Sequence, residues 1–369
     1  MRVLMFGWEF PPHISGGLGT ASYGLTKGMA TMDDLEVIFV VPKAWGDEDQ
    51  SVVRLIGANQ VPVAFKKIFF KGSRKPVEKI EVSSKIVPYT DPDEFWKVVG
   101  LEISETRMYI QTNSLGTVDF TGRYDGNLLD EIYKYSVVAS VIAEENEFDI
   151  IHAHDWLAYP AGIAAMEVSG KPLVIHVHAT DFDRSGGSVN PEVYRIEKSG
   201  MDAASKIITV SNLTREIVIN RYHQHPDKVE TVYNAVEPVH LSEDIVFEKG
   251  FDEKVVTFLG RITLQKGPEY FIEAANKVLK SMDNVRFVMA GSGDMMERMM
   301  RRAASLKITD RFHFTGFLRG RDVFTMLTMS DVYIMPSVSE PFGISPLEAM
   351  QSNVPVIISK QSGVAEILT

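Results

Sequence analysis

Apolar residues in this chain fall into short unbroken runs separated by stretches with helical spacing. Val3–Phe6, Val37–Val41, Asp149–His152, Leu173–Val177 and Lys206–Val210 read as strands. Their continuous Val/Ile character, without alternation, marks strands covered on both faces. Between them Ala21–Thr31, Asp130–Glu145, Tyr159–Val168 and Thr214–Tyr222 read as helices. Strand–helix alternation of this kind predicts an α/β fold built on a parallel, doubly wound sheet. After Val232–Asn234 the chain turns polar and irregular as far as Gly250–Lys254, and then the alternation restarts. Val255–Leu259, Arg286–Ala290, Phe312–Phe314, Val332–Met335 and Val356–Ile358 are the second set of strands. Pro268–Lys280, Asp294–Ser305, Arg319–Met329 and Ile344–Ser352 are the helices between them. Two Rossmann-like domains are therefore expected, residues 1–240 and 241–369, joined near 238–253. The stretch 43–118 is less regular and reads as strands or excursions over the first domain. The chain stops at Thr369 just after the start of another helix, so the second domain is expected to be incomplete at its C-terminus.

Composition narrows the function. The chain has 369 residues and a net charge of −11, without a dense run of Lys and Arg. A nucleic-acid-binding domain carries a basic patch or stripe, so this class is set aside. The nearest candidates are Lys66–Lys75 and Arg298–Arg302, and the second reads as the solvated face of a Met-rich helix. Cysteine is absent, which excludes disulfides and thiolate sites. Met1–Phe6 is too short for a signal-peptide core, and the longest aliphatic runs are strand-sized. A cytoplasmic protein without a membrane span is expected, of unspecified oligomeric state.

Candidate chemistry clusters where strands end. Gly16-Gly17-Leu18-Gly19 precedes a helix and lets backbone N–H groups approach a phosphate. Ser22 stands where a dinucleotide fingerprint needs its third glycine, and Val41-Pro42-Lys43 lacks the expected acid, which argues against a nicotinamide enzyme. His152-Ala153-His154-Asp155-Trp156 ends one strand, and His176 and His178 end the next. Two such pairs could hold a metal or could be hydrogen-bonded histidines lining a polar cleft. In the second half, Gly260-Arg261 closes a strand and Lys266-Gly267 opens the following helix. Two cations in a first β–α turn are placed to neutralise a diphosphate leaving group, Arg bidentately and Lys as a point charge. The segment Glu340-Pro341-Phe342-Gly343-Ile344-Ser345-Pro346-Leu347-Glu348 sets one carboxylate in a loop and a second inside the next helix. The first can face a sugar and the second ribose hydroxyls, while Gly343 lets the helix start approach phosphate.

Taken together, the Gly16-Gly17 turn, the Arg261 and Lys266 pair and the E-x7-E motif Glu340–Glu348 resemble retaining glycosyltransferases of GT-B fold. Within them the chain is similar to bacterial and archaeal glycogen synthases and to sucrose-phosphate synthase-like enzymes. Ile14 and Leu157 stand where glycogen and starch synthases carry Lys and His, and the E-x7-E form is commoner in the neighbouring family. The resemblance implies two domains facing a cleft, the first holding a carbohydrate acceptor and the second ADP-glucose or UDP-glucose, without a cofactor or metal. It implies that Arg261 and Lys266 bind the diphosphate, that Glu340 and His154 lie beside the donor sugar, and that Glu348 meets the ribose. Backbone at Gly17 and Gly343-Ile344 would meet phosphate, Gly316-Phe317 would lie near the base and Asn234 near the cleft hinge. The acceptor stays open between a glucan and a small or lipid-linked carbohydrate. A metal-dependent hydrolase built on the histidine pairs and a non-catalytic nucleotide-sugar-binding module are the rival classes.

Overall fold

The computed structural model describes residues 1–14, 17–63, 112–124, 128–237 and 249–368. Gly16, Lys66–Lys75 and most of the expected linker lie outside the described residues. The chain divides into two compact units. The first comprises Met1–His178, Pro191–Thr209 and Val218–Glu230, and the second Ala179–Asn190, Val210–Ile217 and Thr231–Thr369.

The first unit is built on a seven-stranded sheet in the order β3-β2-β1-β4-β5-β6-β7. These strands are β1 (Arg2–Phe6), β2 (Glu36–Val41), β3 (Arg54–Gly57), β4 (Ile150–His154), β5 (Leu173–Val177), β6 (Lys206–Thr209) and β7 (Val229–Thr231). Pairings from β3 through β6 are parallel. The chain runs outward from β1 to β3, then returns to β4 on the other side of β1, so the order reverses between β1 and β4. Helix α1 (Gly17–Ala30) follows β1, α2 (Leu128–Glu145) precedes β4 and α3 (Tyr159–Ser169) follows it. Tyr159–Ala165 is buried without a break. A helix that is apolar all round is one enclosed on all sides, and α3 packs against both α2 and the later helix α5 (Pro191–Ala203).

A five-stranded parallel sheet in the order β10-β9-β8-β11-β12 forms the second unit. Its strands are β8 (Lys254–Leu259), β9 (Val285–Ala290), β10 (Phe312–Gly316), β11 (Val332–Met335) and β12 (Val356–Ile358). Here the order reverses between β8 and β11. Phe258, Phe271, Phe287 and Met289 form the core on one side of the sheet, joined by Met299 and Ala303 of α8 (Met296–Ser305). On the outer side of α8, Arg298 and Arg302 pair with Glu269 and Glu273 of α7 (Pro268–Val278), as expected of a solvated face. Tyr333, Met335, Phe342 and Ala349 make a second cluster with α9 (Arg321–Thr328) and α10 (Ser345–Gln351).

Every strand and helix expected from the pattern is present within a few residues. Among the described residues β3 falls in the stretch 43–118 expected to hold strands or excursions, while β7, the short helix α4 (Asp181–Ser185) and α5 escaped the pattern. β3 and β7 are edge strands with little buried surface, and the mean hydropathy of α5 is low enough to hide its apolar stripe. Helix α6 (Asn212–Tyr222) completes the set.

Candidate active site

In open α/β sheets ligands bind outside the carboxyl ends of the strands, at the point where strand order reverses. In the second unit this point lies between β8 and β11, and both ends carry charged residues. Gly260-Arg261 leaves β8, while β11 ends at Met335 and leads through Pro336 and Ser337 to Glu340. Between β8 and α7 a 3-10 turn, Leu264–Lys266, carries the lysine. Lys266 Nζ donates to Glu340 Oε2 at 2.5 Å, and Ser337 Oγ donates to the same oxygen at 3.1 Å. Glu340 is buried, yet its charge is balanced by the ammonium, the condition under which a buried carboxylate is tolerated. Its backbone is pinned on both sides, by Glu340 N to Gln361 O at 2.8 Å and Gly363 N to Glu340 O at 2.9 Å.

Two glycines set this geometry. Gly267 has φ +64°, and a Cβ there would lie 2.2 Å from the Pro336 carbonyl oxygen. Only glycine lets the turn bearing Lys266 close on the end of β11. Gly343 has φ +95°, and a Cβ there would come within 2.9 Å of Met335 Cε and 3.1 Å of Glu340 Cγ. The turn into α10 thus folds back over the buried carboxylate.

Arg261 is exposed, and its guanidinium has no carboxylate partner among the described residues. It is therefore the cation left available for an anionic ligand, whereas Lys266 is held by Glu340. Glu348 is half-buried in α10, and burial raises its carboxyl pKa. Tyr333 donates toward Leu259 O at 3.3 Å and shares a 2.7 Å hydrogen bond with Ser345, which ties the β8 end to the start of α10 beside Ile344. Gly316 ends β10 and accepts from Gly291 N at 2.8 Å, and Phe317 is exposed beside Arg319. Asn234 lies half-buried in the irregular segment after β7. The Phe342 ring is part of the core, so any share it has in binding falls to its backbone.

One loop was missed by sequence reasoning. Gly291-Ser292-Gly293 leaves β9 beside β8, with Gly260 N donating to Ala290 O at 3.0 Å and Ile262 N to Ser292 O at 2.9 Å. A Gly-Ser-Gly turn after a buried strand was the available signal. Ser337 and Ser339 were also missed, and nothing in the pattern singles them out.

The first unit carries Gly17 and His154 at the corresponding edge of its own sheet. Gly17 begins α1 with open space around it. His154 ends β4, next to β1, and is fully buried. Its Nδ1 lies 2.9 Å from His178 Nε2. His152, His154 and His176 bring ring nitrogens within 4.8 Å of one another. Among the described residues His154 Nε2, His152 Nε2 and both nitrogens of His176 have no hydrogen-bond partner. The rings are stacked or tilted, with interplanar angles of 8° between His152 and His176 and 27° between His154 and His176. The His152 and His154 rings, tilted by 35°, have their centroids 4.4 Å apart. Burial lowers the pKa of all three, that of His152 to about 3 and those of His154 and His176 well below the ordinary histidine value. The histidines form a neutral polar stack. The acidic Asp47–Asp49 run is likewise occupied: Asp47 pairs with His13 at 2.6 Å, Glu48 accepts from the backbone of Trp45 and Gly46, and Asp49 accepts from Tyr23 at 2.5 Å.

Comparison with known proteins agrees with this arrangement. Residues 242–369 match the family described as Glycosyl transferases group 1, and residues 118–240 match Glycosyltransferase Family 4. An uncharacterized glycosyltransferase of Methanocaldococcus jannaschii is 28% identical, over 100% of this chain and 83% of its own. A glycogen synthase of Mycobacterium tuberculosis is 22% identical, over 99% of this chain and 80% of its own. The crystal structure of Anabaena HepE in complex with UDP and glucose superposes with a TM-score of 0.63 at 16% identity, covering 100% of this chain and 83% of that one. No described helix is long and apolar enough to cross a membrane. With two glycosyltransferase family models matched in succession over residues 118–240 and 242–369 and two parallel-sheet α/β units, the chain carries the domains of a glycosyltransferase of GT-B fold.

Proposed function

We propose that this protein is a retaining hexosyltransferase that moves a glucosyl group from ADP-glucose or UDP-glucose to a glucan or other carbohydrate acceptor. The observation that carries the reading is the Lys266–Glu340 pair at the strand-order reversal of the second unit, with Arg261 exposed beside it in sequence. A nucleoside diphosphate brings negative charge to a place already holding two cations, and one of these has no competing carboxylate among the described residues. The HepE complex with UDP and glucose supports a nucleotide-sugar donor. Similarity to a glycogen synthase supports a glucan acceptor.

In this reading residues 241–369 hold the donor and residues 1–240 the acceptor. The bond from the anomeric carbon to the diphosphate oxygen breaks, and the acceptor oxygen bonds to the same face of that carbon. The departing phosphate takes the acceptor's proton. Arg261 and Lys266 stabilise the charge that develops on the leaving group, the electrostatic contribution that dominates in many enzymes. Glu340 faces the sugar, Glu348 the ribose, and the neutral His154 offers a hydrogen bond to the sugar. Neither cofactor nor metal is required, and the protein works in the cytoplasm.

The test is a screen of ADP- and UDP-sugars for release of free nucleotide, with and without glycogen or maltooligosaccharides. Acceptor-dependent release from one glucose donor is expected, with the α-configuration kept in the product. Hydrolysis alone, or nucleotide binding without turnover, would remove the transferase reading.

A further inference from the structure

The Asp181-Phe182-Asp183 run has the spacing of a metal-binding acid pair, but the second unit uses it otherwise. Asp183 is buried and both of its carboxylate oxygens accept hydrogen bonds. Oδ2 accepts from Thr180 N and Thr180 Oγ1, each at 2.8 Å, which closes a capping box on α4. Oδ1 accepts from Ser339 Oγ at 2.6 Å, a bond spanning 156 residues of chain. Capping α4 needs only the first oxygen. The second reaches the residue immediately before Glu340, whose carboxylate in turn receives Ser337 Oγ and Lys266 Nζ.

The same short helix also touches the other half of the pair. α4 packs on the 3-10 turn Leu264–Lys266, and a Cβ at Gly186, its C-cap, would lie 3.6 Å from Leu264 Cδ2. Residues 179–190 belong to the second compact unit although they follow β5 of the first sheet. One element therefore contacts both the loop that bears Glu340 and the turn that bears Lys266.

We infer that Asp183 is a positioning residue which, through Ser339, fixes the Glu340 carboxylate against Lys266. The inference deepens the proposed function and rests on it for the roles of that pair. Removing Asp183 leaves the half-buried Ser339 hydroxyl and the buried Thr180 N–H without their acceptor, and frees the loop 337–340 to shift. Misplacement of a reacting group by about 1 Å can cost on the order of 100-fold in rate. A carboxylate that only caps α4 would affect stability and leave the pair untouched.

The test compares Asp183→Ala, Asp183→Asn, Ser339→Ala, the double variant D183A/S339A, and Thr180→Ala, which removes only a capping hydroxyl. Four quantities are read on the whole protein: kcat and KM with the nucleotide-sugar donor, Tm, and the rate at which N-acetoxysuccinimide acylates Lys266, followed by peptide mass spectrometry. Asp183→Ala and Ser339→Ala are each expected to lower kcat about 10- to 100-fold with little change in KM. Each should also raise Lys266 acylation several-fold relative to the other lysines. The double variant should be no worse in kcat than D183A, because both act through one bond. Asp183→Asn should recover part of the loss, and Thr180→Ala should lower Tm alone. If Asp183→Ala and Ser339→Ala lower Tm but leave kcat and Lys266 acylation as in the wild type, the inference is overturned. Should the wild type turn over no nucleotide sugar, the proposed function falls by itself, and Lys266 acylation still decides the positioning role.

Discussion

Arg261 and Lys266 sit in one turn yet meet different surroundings. Lys266 is held by a buried carboxylate and Arg261 faces solvent without a carboxylate partner among the described residues. If both stabilise one leaving group, Lys266→Ala and Arg261→Ala should each lower kcat about 100- to 1,000-fold in a folded protein. The double variant should lose less than the product of the singles, since residues that act as a unit are not additive. Steady-state kinetics with melting curves checks this, and near-wild-type turnover in either single variant would end the diphosphate assignment. Lys266→Ala also strands Glu340 in its buried pocket, so it should cost more stability than Arg261→Ala. Glu340→Gln keeps an oxygen for Lys266 but removes the charge, and it should damage turnover far more than nucleotide affinity. Glu348→Gln should weaken nucleotide binding. Calorimetry with UDP and ADP separates the two, and equal losses of affinity would show the roles to be wrongly divided.

Strand ends are the elements that carry chemistry here, and those of β4 and β5 carry it as neutral imidazoles. For His152, His154 and His176 the folded pKa lies below the unfolded value, near 6.5. Above that value none of them binds a proton in either state, so they add no pH dependence. As pH falls below it the unfolded chain gains protons that the folded protein refuses, and stability drops by up to about 1.4 kcal/mol per pH unit for each histidine. For His152 the decline continues to about pH 3, where its folded form protonates as well. Tm should therefore fall steeply from about pH 6 downward, and His152→Gln should flatten that slope whatever it does to Tm at neutral pH. An unchanged slope in the variant would mean that the stack is not what titrates. The strand ends themselves were readable, because each follows an unbroken apolar run. That the imidazoles stack depends on the register between β4 and β5, which pairs His154 with His176.

For the molecule as a whole, the proposal of metal-free catalysis has a direct check. In the proposed reading Arg261 and Lys266 supply the positive charge that a divalent ion gives to a diphosphate in other enzymes. Turnover should survive exhaustive chelation, measured as nucleotide release before and after EDTA. Loss of activity restored by manganese or magnesium would reopen the histidine stack as a metal site. Asp183 also needs reassigning at this scale. Its position in the sequence puts it after β5, inside the first expected domain, while the structure counts residues 179–190 in the second unit, where Asp183 bonds Ser339.

Local information in the sequence determined the two α/β sheets and the chain order of most of their elements, and it singled out Arg261, Lys266, Glu340 and Glu348 as candidates. Buried parallel strands need unbroken Val/Ile runs, and ligands gather at the turns that follow them, so both leave a mark within a dozen residues. Tertiary structure alone decided which of these groups touch. The Lys266–Glu340 ion pair spans 74 residues and the Asp183–Ser339 hydrogen bond 156. No spacing rule connects positions so far apart. The difference between the paired Lys266 and the exposed Arg261, invisible in a motif, arises because only one of two neighbouring cations faces a buried carboxylate.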